Sequence, residues 1–233
     1  MQGVGTIINV ATIVAGTVIG LLVGRRLPDR LRVTILQGVG LIVIALGLGQ
    51  VITTDNIVFP LVAIVGGTVV GELLRVEERL EAVGERLRRR FERDREGDSP
   101  STFVEGFVAA SLLFVVGPMA ILGSIQDGLN GDIGLLAVKS SLDGLVSVVF
   151  AATLGWGVGF SALPVLLYQG AMTLLAGTAD AVLSDRMILE MSATGGVMIM
   201  GIGLRLLDLA VVRVGSMLPG LLLAPLLVSL FAR

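Results

Sequence analysis

Lys139 is the only lysine of the chain, and it stands in an apolar segment four residues before Asp143. Residues four apart on a helix lie on the same face, so this ammonium and carboxylate can form a pair. A charge near the centre of a bilayer costs about 2.5 to 3.5 kcal/mol on insertion scales unless a partner or a water-filled cavity offsets it. We therefore predict a polar binding or gating site at Lys139 and Asp143. The structural alternative is that Lys139 reaches the membrane surface while Asp143 satisfies an internal hydrogen bond.

Other polar residues and two prolines also fall within apolar runs. Asn9, Ser141 and Gln169 are candidates for the same site. Pro118 and Pro225 lie in the middle of their runs, and a proline there removes a backbone hydrogen bond and usually kinks or breaks the helix. We predict that breaks near both prolines expose carbonyl groups to the site. Ordinary packing kinks are the alternative explanation.

Oxygen-bearing residues are concentrated in residues 123–132, which we predict to form a loop on the outer side. Asp127, Asn130 and Asp132 could ligate a cation there, because hard metal ions prefer carboxylate and carbonyl oxygens. The spacing is not that of an EF-hand, and it does not identify a metal. A pair of tight turns is the alternative for the same residues.

The composition indicates an integral membrane protein. Of the 233 residues 54% are hydrophobic and only 15% are charged, and the mean hydropathy is +0.93. The apolar runs are continuous, without the alternation of a barrel strand, so we predict an all-α bundle of about eight transmembrane helices. The predicted spans cover residues 4–24, 33–52, 57–74, 103–124, 135–158, 161–178, 188–204 and 215–232.

The arginines predict an orientation in the membrane. Of the 17 basic residues, 14 fall in the polar stretches after the first, third and seventh predicted spans. Basic residues accumulate in short cytoplasmic loops. We therefore expect a multi-pass membrane protein with both termini outside.

Within a single membrane domain covering residues 1–233, the chain divides into two similar halves around a charged insert. Residues 1–75 with 103–126 form the predicted first half, 76–98 the insert, and 135–233 the second half. Short motifs recur between the halves: Gln37-Gly38 with Gln169-Gly170, Gly66-Gly67 with Gly195-Gly196, and Gly117-Pro118 with Ala224-Pro225. They suggest two parallel four-helix repeats, although glycine-rich pairs also match by chance.

The insert has the pattern of an amphipathic helix. Its apolar residues recur at spacings of three and four, at Val76, Leu80, Val83, Leu87 and Phe91. Such a helix either connects two spans on the cytoplasmic side or docks to a membrane surface or a partner.

The absence of histidine and cysteine removes much catalytic chemistry. Disulfides, thiolate nucleophiles, imidazole bases and thiolate metal sites are excluded. A serine–lysine dyad would need a serine in reach of Lys139, and no nucleophile elbow, P-loop or zinc motif is present. We predict that the protein is not an enzyme and that it uses no cofactor. The net charge of −2 argues against nucleic acid as a partner.

Several segments together resemble a known group of bacterial proteins. They are residues 123–132, Lys139–Asp143, Ser192–Gly196, the arginine–proline loop 25–28, and Asn9 with Gly71-Glu72. With the charged insert and the chain length, they resemble the YdfK/YqgA-like inner-membrane proteins of the domain-of-unknown-function 554 group. The resemblance implies a multi-spanning bacterial membrane protein and is compatible with transport. It supplies no substrate and no catalytic residue.

Our leading hypothesis is a transporter or channel for a small solute or ion, with a polar site in the middle of the membrane. The alternative is a membrane scaffold or assembly factor that recruits a cytoplasmic partner through the charged insert. Glycine-rich helix faces permit close contact between helices and make a homodimer a further expectation. The lipid bilayer is the one partner that the composition itself requires.

Overall fold

The computed structural model describes residues 2–91 and 100–231, and this part of the chain is all-helical, which confirms the predicted fold class. The helices are α1 Val4–Gly24, α2 Asp29–Val51, α3 Val58–Leu73, α4 Val76–Phe91, α5 Pro100–Val115, α6 Pro118–Asn130, α7 Gly134–Leu154, α8 Ala162–Leu174, α9 Ala176–Val182, α10 Asp185–Leu206 and α11 Pro219–Phe231. Two 3₁₀ turns, Trp156–Ser161 and Val214–Met217, precede α8 and α11.

The number of membrane crossings agrees with the sequence. Six segments in the described ranges are long and apolar enough to span a bilayer alone. Two further helix pairs pass the same test together, α3 with α4 and α5 with α6, but they are bent by 62° and 60°. The structure therefore contains six to eight candidate spans, compared with the predicted eight.

The helices form two compact units that interleave in sequence. Unit 1 contains Met1–Leu36, Glu81–Val115 and Met119–Ala179, and unit 2 contains Gln37–Leu80, Val116–Pro118 and Asp180–Arg233. These units do not coincide with the two consecutive halves that the recurring motifs suggest. The internal repeat stays a prediction.

Small residues bring the helices of unit 1 into close contact. Gly16, Gly20 and Gly24 of α1 face Gly144, Val148 and Ala152 of α7, in the same order along both helices. The two helices therefore run parallel. A Cβ atom at Gly24 would lie 2.7 Å from the Ala152 carbonyl oxygen, so only glycine permits this separation.

Glycines also permit close packing between helices of unit 2, which pair antiparallel. Gly40 and Gly47 of α2 face α10 near Gly203 and Gly196, in reverse order. In the same way, Gly67 and Gly71 of α3 face Gly220 and Ser216. Small-residue seams are expected where lipid supplies no hydrophobic force between helices.

One of the two predicted helix breaks is confirmed. Helix α5 ends at Val115 and α6 begins at Pro118, with Gly117 between them at φ 138°, a conformation that favours glycine. The predicted break at Pro225 is wrong, because Pro225 lies inside the continuous helix α11. Proline is tolerated within membrane helices where neighbouring groups satisfy the carbonyl that it leaves free.

The predicted loop 123–132 is also wrong, because α6 continues through most of it to Asn130. Only residues 131–133 separate α6 from α7. The oxygen-bearing side chains of this segment are therefore distributed around a helix and its end, and their environments differ.

The charged insert contains the predicted amphipathic helix, α4, while residues 92–98 lie outside the described residues. In unit 1, Gly84 packs against Val104 and Phe107 of α5. On the polar face, Arg89 Nε lies 2.9 Å from Glu85 Oε1, an ion pair between residues four apart. Val83 remains 44% exposed, so the apolar face is covered only in part.

Candidate functional site

Lys139 and Asp143 form an ion pair inside unit 1. Lys139 Nζ lies 2.6 Å from Asp143 Oδ2, and each residue is only 6% exposed. Asp143 is nine residues into the 21-residue helix α7, about 14 Å along a length of about 32 Å. The ammonium group is directed along the helix towards Asp143, so the structure supports pairing and not the surface-reaching alternative.

Two amide side chains from other helices complete a polar cluster around this pair. Asn9 of α1 donates from Nδ2 to Asp143 Oδ2 at 3.0 Å and to Gln169 Oε1 of α8 at 3.3 Å. Both amides are fully buried. We call Asn9, Lys139, Asp143 and Gln169 the polar cluster; it joins α1, α7 and α8.

Several polar atoms in and beside the polar cluster have no hydrogen-bond partner in the described part of the chain. Asn9 Oδ1 and Gln169 Nε2 are two of them, and the hydroxyls of Thr6 and Thr173 are two more. Thr6 lies three residues before Asn9, and Thr173 four residues after Gln169, so each extends the polar face of its helix by one turn. A buried polar atom without a partner costs about 1 to 3 kcal/mol, and water or a ligand would remove that cost.

A cavity of about 380 Å³ is lined by two of these residues, Thr6 and Thr173. Its lining residues are Gln2, Gly3, Thr6, Ile7, Gly128, Leu166, Gly170, Thr173, Leu174, Ala176 and Gly177. Thr6 and Thr173 thus belong to the lining and also to the polar faces that reach Asn9 and Gln169. The arrangement connects the cavity to the polar cluster through groups that can donate or accept hydrogen bonds.

Asp127 fixes the helix that carries Asn9. Its Oδ1 accepts the backbone N–H of Gly3 at 3.1 Å, and its Oδ2 accepts that of Gly5 at 3.0 Å. These N–H groups belong to the start of α1, where a negative charge also interacts favourably with the helix dipole. The fully buried Asp127 is therefore a positioning residue for α1.

The three oxygen donors predicted to share a cation site are separated in function. Asp127 holds the start of α1, Asn130 is exposed, and Asp132 Oδ1 accepts the N–H of Gly134 at 2.9 Å at the start of α7. The described residues contain no group of three acidic side chains arranged to hold a metal ion. The loop and its common site were therefore predicted wrongly.

The remaining predicted site residues lie elsewhere. Ser141 is exposed and its hydroxyl donates to the Ala137 carbonyl at 3.0 Å, so it does not join the polar cluster. The neighbouring Ser140 donates in the same way to the Leu136 carbonyl. Pro118 and Pro225 belong to unit 2.

Sequence reasoning missed the two threonines of the cavity, and a signal for them existed. Thr6 and Thr173 stand at helical spacing from Asn9 and Gln169, the polar residues already singled out. Continuing each polar face by one turn would have found both. Their importance depends on the contact between α1 and α8, which joins residues more than 150 positions apart.

Unit 2 contains a separate ionic network at the end of α3 and the start of α4. Arg213 bridges Glu72 at 2.8 Å and Glu78 at 2.6 Å, and Ser216 donates to Glu72 at 2.6 Å. The Arg213 hydrogen bond lowers the pKa of Glu78, and Glu78 in turn raises the pKa of Arg213. The buried Glu77 accepts the backbone N–H of Gly215. This network joins α4 to the turn before α11.

Known proteins resemble the chain along nearly its whole length. It is 29% identical over 221 residues to "Uncharacterized protein YqgA" of Escherichia coli (strain K12), covering 95% of this chain and 94% of the relative. It is 30% identical over 228 residues to "Uncharacterized membrane protein YdfK" of Bacillus subtilis (strain 168), covering 96% and 95%. No solved structure matches the chain.

A family match covers the same range. The family described as "Protein of unknown function (DUF554)" matches residues 4–229, from the first residue of α1 almost to the end of α11. The match includes every residue of the polar cluster. Taken with the helical fold and the six to eight candidate spans, it identifies the chain as a multi-pass membrane protein that belongs to the DUF554 family.

Proposed function

We propose that the protein is a transporter or channel for a small polar solute or ion, which binds beside the polar cluster of unit 1. The observation that carries the proposal is the continuity between the cavity and the cluster. Thr6 and Thr173 line the cavity, and they stand one helical turn from Asn9 and Gln169 of the cluster. Each of these four side chains has a polar atom without a partner among the described residues. A site that only stabilised helix packing would be expected to satisfy these atoms internally.

The charges and hydrogen-bonding groups narrow the class of solute. Lys139 and Asp143 neutralise each other, so the polar cluster has no net charge to attract a simple ion. Asn9 Oδ1 is a free acceptor and Gln169 Nε2 a free donor, and each threonine hydroxyl can do both. These groups favour a small solute without net charge, either neutral or zwitterionic. The cavity volume lies within the usual range for small-molecule sites.

The Lys139–Asp143 ion pair lies at the contact between α1 and α7, a position suited to a gate. Asp143 accepts hydrogen bonds from Lys139 on its own helix and from Asn9 on α1. A solute that hydrogen-bonds to Asn9 or Asp143 would compete with the contact between α1 and α7. Ligand binding would thereby change the relative stability of two helix arrangements, which is the energetic requirement for gating.

We retain the predicted orientation as part of the proposal. Both termini are placed outside a bacterial inner membrane on the basis of the arginine distribution. The parallel course of α1 and α7 is compatible with this topology, because both helices would then cross from the outside inwards. The cavity, which includes Gly3 near the start of α1, would open towards the outer side.

A screen for ligand-induced stabilisation tests the proposal. Thermal unfolding of the purified protein in detergent would be followed with neutral sugars, polyols, amino acids and simple ions. A solute at one hundred times its dissociation constant stabilises the folded state by about 2.7 kcal/mol. We expect a shift with a zwitterionic or neutral solute that is lost in Thr173→Val and in Asn9→Ala. Ser141→Ala is the matched control, since its exposed hydroxyl lies off the cluster.

Uptake into proteoliposomes then separates binding from transport. The solute found in the screen should enter vesicles that contain the wild-type protein or Ser141→Ala, and not those that contain Asn9→Ala. Binding that leads to no flux in any direction would contradict the transport proposal while leaving the site intact. No stabilisation by any compound would contradict the site itself.

The scaffold alternative is tested through the exposed part of α4. Gly84 already packs on α5, which supports a connecting role for this helix, and Val83 is its most exposed apolar residue. Val83→Glu would abolish a partner contact made through α4 but leave solute uptake unchanged. Loss of a co-purifying protein with retained uptake would show that the helix has a second role.

A further inference from the structure

Unit 2 contains its own buried carboxylate, Glu190, in the second turn of α10. The residue is fully buried. Its Oε2 accepts a hydrogen bond from the hydroxyl of Thr54 at 2.6 Å, and its Oε1 has no hydrogen-bond partner among the residues that the structure describes. One half of the carboxylate is therefore available to another ligand.

Glu190 also lacks a counter-charge in residues 2–91 and 100–231. No nitrogen of a basic side chain within these ranges lies within 4.0 Å of its oxygens. Arg186 stands one turn earlier on α10, but it is exposed and its guanidinium lies over the Phe59 ring at 5.6 Å. A buried carboxylate oxygen that has neither a basic partner nor a hydrogen-bond donor is costly, and a bound cation would remove that cost.

The hydrogen bond from Thr54 brings Glu190 to the C-terminal end of α2, which carries further oxygen atoms. Helix α2 ends at Val51, and Thr54 follows in the turn after it. Gln50, in the last turn of α2, has a buried side-chain oxygen with no partner among the described residues. The C-terminal end of a helix carries a partial negative charge, which favours a cation and opposes an anion.

The helix break at Gly117 lies next to Gln50 within unit 2. A Cβ atom at Gly117 would lie 3.4 Å from Gln50 Nε2, so the amide packs directly on the interrupted backbone. Breaks of this kind free backbone carbonyls, and in membrane proteins such carbonyls together with helix C-termini are typical ligands for small cations.

We propose that Glu190, Thr54 and Gln50 form a binding site for a monovalent metal cation, Na⁺. All three side chains offer oxygen, which hard cations prefer over nitrogen or sulfur. A single carboxylate supplies one negative charge, which matches Na⁺ and leaves a divalent ion undercompensated. The hydroxyl of Thr54 donates its hydrogen to Glu190 and keeps a lone pair for the ion.

This site is separate in residues and in ligand from the polar cluster of unit 1. It is a sodium site whether or not unit 1 transports a solute, so a failure of one proposal leaves the other standing.

Equilibrium binding of ²²Na⁺ to the purified protein in detergent tests the proposal. Ionic strength would be held constant with choline chloride, and the pH kept at 7.5. We expect saturable binding of about one Na⁺ per chain, with an affinity reduced at least tenfold in Glu190→Gln and in Thr54→Ala. Thr53→Ala is the matched control, because its hydroxyl donates to the Gln50 carbonyl and not to Glu190. Thr53→Ala should bind Na⁺ like the wild type.

Three results would overturn the proposal. They are the absence of saturable Na⁺ binding to the wild-type protein, unchanged binding in Glu190→Gln, and an equal loss in Thr53→Ala and Thr54→Ala. Thr54→Ser keeps the hydroxyl and should keep the affinity, so the proposal remains testable even if Glu190→Gln does not fold.

Discussion

Asp143 of unit 1 and Glu190 of unit 2 are both carboxylates buried inside a membrane helix, but they are satisfied differently. In unit 1, Asp143 is paired with Lys139 one turn away and accepts a hydrogen bond from Asn9. In unit 2, Glu190 accepts one hydrogen bond from Thr54 and has an oxygen without a partner in the described residues. An internal counter-charge makes the first site neutral, whereas the second site leaves a place for an external cation.

The comparison shows that burial alone does not define a functional role for an acidic residue. Asp143 and Glu190 are both at most 6% exposed. Their roles differ because Lys139 is covalently fixed beside Asp143, while the charge beside Glu190 would come from solution. The first arrangement suits recognition of an uncharged solute, and the second suits binding of an ion.

Removing one member of the Lys139–Asp143 pair should have the largest effect on stability. Lys139→Met leaves Asp143 buried without a counter-charge, and breaking such a pair typically costs about 3 to 5 kcal/mol. The double variant Lys139→Met with Asp143→Asn should recover most of this loss, because no charge remains. Glu190→Gln also leaves no unpaired charge, so in choline chloride without Na⁺ its free energy of unfolding should be close to that of the double variant. The free energy of unfolding in mixed detergent checks all four proteins, and equal stability of the single and double variants would contradict the comparison.

The helix seams of the two units should be equally intolerant of added volume. A Cβ atom at Gly24 in unit 1 would lie 2.7 Å from the Ala152 carbonyl oxygen, and one at Gly47 in unit 2 would lie 2.6 Å from that of Gly196. We expect each Gly→Ala change to destabilise by about 1 to 3 kcal/mol, since the backbones must separate. Gly49→Ala is the control on α2, where nothing lies within 4 Å and alanine should be neutral or stabilising. A stable Gly47→Ala protein would mean that the α2–α10 seam is looser than described.

A smaller effect is expected at the start of α4, where two adjacent glutamates differ in burial. Glu77 is buried and accepts the N–H of Gly215, so Glu77→Ala leaves that donor unsatisfied at a cost of about 1 to 3 kcal/mol. Glu77→Gln keeps an acceptor and should recover part of this loss. Glu78→Ala removes only an exposed pair with Arg213 and should be nearly neutral. Thermal unfolding of the three variants checks the order, and a Glu78→Ala protein less stable than Glu77→Ala would reverse it.

The smallest effect concerns pH and the exposed face of α4. Hydrogen bonds from Arg88, and next from Arg89, lower the pKa of Glu85 to about 2 from its usual 4.5. A lowered pKa in the folded state means that the stabilisation is present above about pH 4.5 and is lost as the pH falls towards 2. Glu85→Gln should therefore unfold at a slightly lower temperature than the wild type at pH 6, with a smaller difference at pH 3. A difference that grows on acidification would contradict this assignment.

Local spacing predicted the first carboxylate site better than the second. The Lys139–Asp143 pair is visible because its members stand four apart, and the Pro118 break follows from Gly117-Pro118. The partner of Glu190 is 136 residues away, so no local pattern reveals it. A long-range contact also concerns residues 123–130, which are helical despite their turn-forming composition. Asp127 of this segment accepts N–H groups at the start of α1, more than 120 residues earlier, and no local pattern reveals that contact.

The most direct test of the account is the accessibility of the polar cluster to water. Because the chain has no cysteine, single cysteines can be introduced without background and treated in membranes with a charged, water-soluble methanethiosulfonate reagent. We would compare Thr173→Cys and Gln169→Cys with Ile13→Cys, a fully buried apolar position, and Val14→Cys, an exposed apolar position on the same helix.

We predict that the cysteines at 173 and 169 react, with the first faster because it lines the cavity, while those at 13 and 14 remain unmodified. Reaction at 169 would show that water reaches the cluster through the cavity. If neither the cysteine at 173 nor that at 169 reacted, water would not reach the polar cluster through the cavity. The cluster would then serve only in helix packing.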